Sequence, residues 1–161
     1  MNVSLLLHSI DSMSRLLDLS KEMHDYEALS FDVEHVTSAF TFLLSHPAQG
    51  EVFLIKLESE DICEIIGFIV VCYSFSIEFG GHIAVIDQIY LSQDWRRQGI
   101  GSHVLPNLED HAVKQGCHAI TLEVNIGNSG AREFYEQFNY IPRRQHFIMS
   151  KCLNHNGIII T

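Results

Sequence analysis

The apolar residues of this chain recur at two spacings, which predict strands in some segments and helices in others. Short apolar runs rich in β-branched and aromatic residues favour strands, whereas apolar positions three or four residues apart favour helices. The predicted strands are Val3–Leu7, Val52–Leu57, Ile62–Phe75, Ile83–Leu91, His118–Val124, Tyr140–Arg144 and Phe147–Lys151. The predicted helices run from Asp11 to Met23, from Val33 to Leu44, from Gly99 to Lys114 and from Asn128 to about Phe138.

The order of these elements is β-α-α-β-β-β-α-β-α-β-β, which lacks the strict alternation of a doubly wound fold. It predicts an α+β fold in which four helices flank a mixed, largely antiparallel sheet of about seven strands. We expect residues 1–161 to form a single domain, with residues 153–161 as a tail that has no predicted element.

Pro106 conflicts with the helical pattern around it. A proline inside a helix forfeits one backbone hydrogen bond and costs about 3 kcal/mol or more. We therefore expect either a kink at Pro106 or a helix that begins later than Gly99.

Composition and charge narrow the class of protein. A chain of 161 residues that is 47% apolar can bury a sizeable core, and its formal charge of −10 argues against a nucleic-acid-binding face. The four cysteines are scattered without a CxxC pair, and we find no signal peptide and no apolar run of about 20 residues. These features predict a cytoplasmic protein that binds neither nucleic acid nor membrane.

The ten histidines do not indicate a metal site. His103 with His111, and Cys117 with His118, lack the spacings that bring two ligands to one metal ion. We therefore expect no bound metal.

The candidate chemistry begins in the stretch Ile86–Ser102, where a strand leads through a polar loop into a helix. The turn contains Arg96 and Arg97, followed by glycines at Gly99 and Gly101. Unpaired N–H groups and the positive end of the helix dipole converge at such a turn, which favours anions. The spelling excludes a Walker A loop and a GxGxxG fingerprint. The turn therefore predicts a phosphorylated ligand, but it does not identify that ligand.

Four motifs in order resemble the GNAT superfamily of acyl-CoA-dependent N-acyltransferases. They are the strand IDQIYL, the turn RRQGIG, the segment Asn128–Tyr135 (NSGAREFY) and the later FNY, and the resemblance covers roughly residues 83–151. It implies a GNAT fold and acetyl-CoA as the co-substrate. It also assigns cofactor contacts, which are the main chain of Ile89 and Leu91, the turn residues Arg96, Arg97, Gln98, Gly99, Ile100, Gly101 and Ser102, and the Asn128 side chain at the pantetheine arm. Asn128 can equally be a plain helix N-cap.

The resemblance implies Asp87 as the group that accepts the amine proton, directly or through water. An aspartate in an apolar strand is costly unless it has a purpose or a partner. Asp87 can alternatively anchor a loop or a cationic substrate. Glu123 is a reserve candidate for the base, and Glu78 is a candidate for the substrate pocket.

The resemblance also implies that Tyr135 protonates the departing thiolate. An unperturbed tyrosine has a pKa near 10, so the phenol stays protonated at neutral pH. The alternative is a packed aromatic beside Phe134 and Phe138. The family commonly has Gly-Phe after this helix, where this chain has Asn139-Tyr140; asparagine also tolerates the left-handed conformation.

Together these features predict an N-acetyltransferase that moves an acetyl group from acetyl-CoA to a primary amine by direct attack in a ternary complex. A small cationic acceptor, such as a polyamine or an aminoglycoside-like amine, suits the acidic chain. A protein N-terminus or lysine is the alternative acceptor, and a non-catalytic acyl-CoA-binding or interaction module is the alternative class. A homodimer is compatible with the sequence.

Overall fold

The structure is a computed structural model, and it describes residues 2–145 and 148–151. The chain forms two compact units, residues 1–123 and residues 124–161. The elements of the first unit are β1 (Asn2–Leu7), α1 (Met13–Tyr26), α2 (Val33–Ser45), β2 (Gly50–Glu58), β3 (Cys63–Ser76), β4 (Gly81–Leu91), α3 (Ile100–Lys114) and β5 (Ala119–Leu122). The second unit contains α4 (Ser129–Gln137).

Within the described residues the strands form one sheet in the order β1-β2-β3-β4-β5. The first three pairings are antiparallel, and the pairing of β4 with β5 is parallel. The predicted α+β class with a mixed, largely antiparallel sheet is therefore confirmed.

The predicted count of about seven strands is wrong for the described part of the chain, where the sheet has five. Residues 140–145 and 148–151 lie outside any strand, so the hairpin predicted at the end of the chain is not formed by them. Pro142 has no N–H to give to a ladder, and Arg144 N donates instead to Pro142 O at 3.1 Å in a turn. Phe147 and the predicted tail at 153–161 lie outside the described residues.

The alternation of side chains along the strands supplies a core on each side of the sheet. Val52, Leu54, Phe68 and Tyr90 pack with residues of α1 and α2. Since side chains alternate along a strand, Phe53 points to the other side, where its ring lies 4.9 Å from that of His111 on α3. The sheet is thus a layer between α1 and α2 on one side and α3 on the other.

Pro106 lies inside α3, because the helix begins at Ile100. This start is only one residue after Gly99, so Pro106 lies beyond the first turn and a later start does not remove the conflict. The missing N–H deprives only the Ser102 carbonyl of its helical partner, and Ser102 is exposed, so water can satisfy that oxygen at little cost.

A polar cluster of three side chains ties the far end of α3 to the sheet. The Tyr73 hydroxyl on β3 donates to the carboxylate of Glu51 on β2, and His111 Nε2 lies 2.7 Å from the same carboxylate. Burial, together with the hydrogen bond to Glu51, raises the pKa of Tyr73 far above its usual value, so the phenol keeps its proton. The cluster fixes the helix whose other end carries the glycine turn.

Phe68 should be essential for the core beneath α1 and α2, because its side chain is completely buried against the rings of Phe40 and Tyr90. We expect Phe68→Ala to lower the free energy of unfolding by about 3–5 kcal/mol in denaturant titrations. Phe42→Ala is the matched control, since Phe42 is half exposed on α2, and it should cost less than about 1 kcal/mol. Equal losses in the two variants would contradict this assignment of the core.

Candidate active site

The site is built around β4, which continues after its partner β5 has ended. The parallel pairing runs from Ile83 opposite Ala119 to Ile86 opposite Leu122. β4 continues to Leu91 and stays paired with β3 on its other edge, where Leu91 lies opposite Gly67. Residues 87–91 therefore present an edge that β5 does not cover.

The backbone groups of Ile89 and Leu91 point to this open edge. Ser92 N donates to Ile66 O at 2.9 Å, so the polar groups of Tyr90, two residues earlier, also point toward β3. The intervening Ile89 and Leu91 then point away from β3. Their N–H groups are donors at the place where the resemblance implied main-chain contacts. No pattern in the sequence indicated that the pairing with β5 ends at Ile86.

Asp87 occupies a β-bulge of β4, immediately after the last residue of β4 that pairs with β5. Val70 pairs with Gln88 and Val71 pairs with Ile86, so Asp87 is the extra residue on β4. A bulge re-aims a side chain and ends regular pairing. The sequence placed Asp87 on the correct strand, but the alternation of residues gave no indication of the bulge.

The environment of Asp87 changes its acid–base behaviour. Its side chain reaches solvent, yet protein atoms around the carboxyl group remove part of its hydration, and this desolvation raises the pKa of Asp87. Burial also raises the pKa of the Cys72 thiol, with a smaller contribution from the charge of Asp87. Asp87 is thus a carboxylate with increased basicity beside the open edge.

The glycine turn presents unpaired donors. Gly99 is the N-cap of α3 and has a φ of 76°, which a glycine adopts without strain. The first intrahelical bond runs from Ser102 N to Gly99 O, and in the described part of the chain no backbone acceptor takes the N–H groups of residues 97–101. A Cβ at Gly99 would meet open space. An anion can therefore approach these N–H groups and the positive end of the helix dipole.

The side chains of the turn point in different directions. Gln98 Nε2 donates to Asp94 O at 2.7 Å, whereas Arg97 is exposed with a φ of 60°. Arg96 is directed back, with Nε donating to Leu91 O at 2.8 Å and its guanidinium carbon 4.0 Å from the centre of the Tyr26 ring. The contact with Tyr26 joins residues that are distant in sequence, so no local pattern could have revealed it.

The second unit holds the two remaining candidates. Asn128 is the N-cap of α4, and its side-chain oxygen accepts from Ala131 N at 3.0 Å, which leaves its amide NH₂ as a donor. Tyr135 is buried near the rings of Phe134 and Tyr140, and burial raises its pKa. Asn139 has a φ of 65°, the left-handed conformation that glycine would supply.

The structure thus places Asp87, Ile89, Leu91 and the turn residues 96–102 on one continuous strand, loop and helix of the first unit. Asn128 and Tyr135 belong to the second unit. The reserve candidate Glu123 follows β5, and Glu78 lies in the turn between β3 and β4.

Across residues 2–145 and 148–151, no three His, Cys, Asp or Glu side chains are grouped so that they could hold a metal ion. None of the helices in those ranges is both long and apolar enough to cross a bilayer.

Comparison with known proteins adds the family. A model described as the acetyltransferase (GNAT) family matches residues 13–140. The thialysine N-epsilon-acetyltransferase of Bos taurus is 28% identical over 127 residues, which are 75% of this chain and 74% of that protein. The family match covers both α1 and the segment that contains Tyr135.

Solved structures share the fold at low identity. A possible acetyltransferase from Clostridium difficile 630 has a TM-score of 0.79 and 16% identity, with coverage of 96% of this chain and 100% of that chain. A structure described as a predicted acetyltransferase with acetyl-CoA, from Clostridium acetobutylicum, has a TM-score of 0.73 and 15% identity and covers 92% of this chain and 96% of that one. The fold that the motifs implied is therefore confirmed.

Proposed function

Because the chain belongs to the acetyltransferase (GNAT) family and is an acetyl-CoA-dependent N-acetyltransferase, we propose that its acceptor is the primary amine of a small cationic molecule. The observation that carries the attack by an amine is the bulge on β4, where a carboxylate that can accept the amine proton lies beside an open strand edge. The same strand leads directly to the glycine turn.

The residues of the turn fit the phosphates of coenzyme A. The unpaired N–H groups of residues 97–101 offer donors, and Gly99 leaves the space before them open. The exposed Arg97 adds a positive charge. Acetyl-CoA supplies the acetyl thioester on which the amine acts. Asn128 can donate its amide hydrogens to the pantetheine arm while its oxygen caps α4.

Each proton in the transfer has a proposed carrier on this chain. Asp87 accepts a proton from the attacking amine, and its raised pKa improves it as a base. The N–H groups of Ile89 and Leu91 at the open edge stabilise the negative charge that develops on the carbonyl oxygen. Tyr135 gives its phenolic proton to the departing thiolate, and its raised pKa keeps that proton in place until then.

The cysteines support direct attack rather than an acyl-enzyme. Burial raises the pKa of both Cys72 and Cys117, so each thiol holds its proton at neutral pH and is a poor nucleophile. Cys63 is exposed, and its thiol donates to a Glu58 oxygen 3.9 Å away. Cys72 and Cys117 are therefore not activated nucleophiles, and transfer in one ternary complex needs none.

Two observations favour a small cationic acceptor. The chain carries a formal charge of −10, which attracts cations to its surface. The name of the Bos taurus relative gives thialysine, an amine, as the acceptor of that protein. A small amine of this kind is therefore the first substrate class to test.

An amine panel tests the acceptor class. We expect thiol release from acetyl-CoA with polyamines, aminoglycosides or lysine analogues, and little release with peptides that offer an N-terminal or lysine amine. Release with peptides alone would make the enzyme a protein acetyltransferase. Coenzyme A binding without release on any amine would support the non-catalytic module instead.

The basic role of Asp87 predicts a change in the pH–rate profile. A base must be deprotonated, so kcat/KM should fall as the pH drops through the raised pKa of Asp87. We expect Asp87→Asn to remove this limb and to lower kcat/KM by about 10²-fold or more. Loss of the limb in Glu123→Gln, with retention in Asp87→Asn, would transfer the role to Glu123.

The acidic role of Tyr135 predicts an effect on turnover alone. Tyr135→Phe keeps the buried ring that packs on Phe134 but removes the phenolic proton. We expect kcat to fall about 10²-fold, while the coenzyme A affinity measured by calorimetry stays within about twofold. An unchanged kcat would leave Tyr135 only its packing role.

A further inference from the structure

The two consecutive arginines of the glycine turn have different surroundings. Arg96 is half buried, and its guanidinium carbon lies 4.0 Å from the centre of the Tyr26 ring and 5.1 Å from that of Tyr90. Its Nε donates to Leu91 O at 2.8 Å. Arg97 is exposed, and no hydrogen-bond or ion-pair partner is found for its side chain within residues 2–145 and 148–151.

From this contrast we propose that Arg96 is a positioning residue of the acetyl-transfer site and that Arg97 alone of the pair binds coenzyme A phosphate. The inference rests on the proposed function, because it assigns roles within the same site. It goes beyond the resemblance, which assigns both arginines to the cofactor.

Arg96 joins the loop before the glycine turn to two elements of the first unit, α1 and β4. Tyr26 is the last residue of α1, Tyr90 lies near the end of β4, and Leu91 is the residue whose backbone faces the open edge. A planar guanidinium can lie against an aromatic face while its N–H donors keep fixed directions, a geometry that the compact ammonium of lysine does not reproduce. Arg96 therefore holds the end of the open edge against the end of α1.

A second contact reinforces the same junction. Glu22 on α1 accepts from Ser92 Oγ at 2.9 Å and from the Tyr90 hydroxyl at 3.4 Å, and Arg15 pairs with the same carboxylate at 3.6 Å. The start of the loop that leads to the glycine turn is thus fixed by α1. Arg96 fixes the end of that loop, immediately before the unpaired N–H groups.

The guanidinium of Arg96 is held by both rings and by the Leu91 carbonyl, which leaves only its Nη groups for another ligand. The Arg97 side chain is exposed and has no such constraint. Its φ of 60° also belongs to the turn that directs the following N–H groups outward. Arg96 therefore orients the end of the open edge, and Arg97 supplies the positive charge for the phosphate.

A matched pair of variants separates the two roles. Arg97→Gln should weaken the binding of coenzyme A about tenfold in calorimetry, with a smaller dependence on salt, because one charge-assisted phosphate contact is lost. Arg96→Gln should leave this affinity within about twofold but lower kcat/KM for the amine acceptor by about tenfold or more, since the open edge is no longer held. Lys114→Gln, which removes an exposed charge at the end of α3, is the control for net charge and should change neither quantity.

Two further variants distinguish positioning from a general loss of structure. Arg96→Lys keeps the charge but not the planar group, so it should not restore kcat/KM. Tyr26→Leu removes the stacking surface, and its effect on kcat/KM should not add to that of Arg96→Gln, because both variants break the same contact. Unfolding midpoints of all variants check that each is folded.

Several outcomes would overturn the inference. Arg96→Gln that weakens coenzyme A at least as much as Arg97→Gln, with recovery in Arg96→Lys, would make Arg96 a phosphate ligand. Full additivity with Tyr26→Leu would also contradict it. A wild-type protein that binds coenzyme A but acetylates no amine would instead contradict the proposed function, and the affinity comparison between the two arginines would still decide which one meets the phosphate.

Discussion

The unequal pairing of β4 is the constraint on which the site depends. One edge of this strand is paired with β3 from Gly81 to Leu91, while the other edge is paired with β5 only from Ile83 to Ile86. A strand edge without a partner ordinarily invites nonspecific pairing or must be covered. Here the uncovered length is five residues, 87–91, and it ends in a loop that leads to a helix N-terminus. The N–H groups that would be a liability at an ordinary sheet edge are the donors that we propose for the site.

Other parts of the first unit keep this open edge in place. β3 fixes it along its full length, and the buried cluster around Phe68 holds α1 and α2 beneath it. The bulge at Asp87 adds a residue just where the pairing with β5 stops, so a carboxylate is presented beside the edge and not within the ladder. The bulge at Asp87 thus determines both the course of the β4 backbone and the position of the carboxylate.

The sequence predicted those features that depend on local chemistry. The left-handed position after α4 is filled by Asn139, as the tolerance of asparagine for that conformation indicated, whereas the turn holds two left-handed residues, Arg97 and Gly99. The amphipathic spacing of α3 and the cap at Asn128 were readable for the same reason. The apolar pattern near the end of the chain predicts a hairpin that residues 140–145 and 148–151 do not form, because Pro142 has no N–H for a ladder. The bulge at Asp87 and the contact of Arg96 with Tyr26 depend on partners elsewhere in the sequence, and no local pattern encodes them.

The polar cluster at the far end of α3 has a mechanical consequence for the glycine turn. The helix has 15 residues and is therefore about 22 Å long, with Glu51 and Tyr73 gripping His111 near one end and Gly99 at the other. If the helix moves as a rigid body, a tilt of only about 3° at the anchored end displaces the turn by about 1 Å. A displacement of that size is enough to spoil the alignment of reacting groups. The position of the glycine turn therefore depends on three side chains near the other end of the helix.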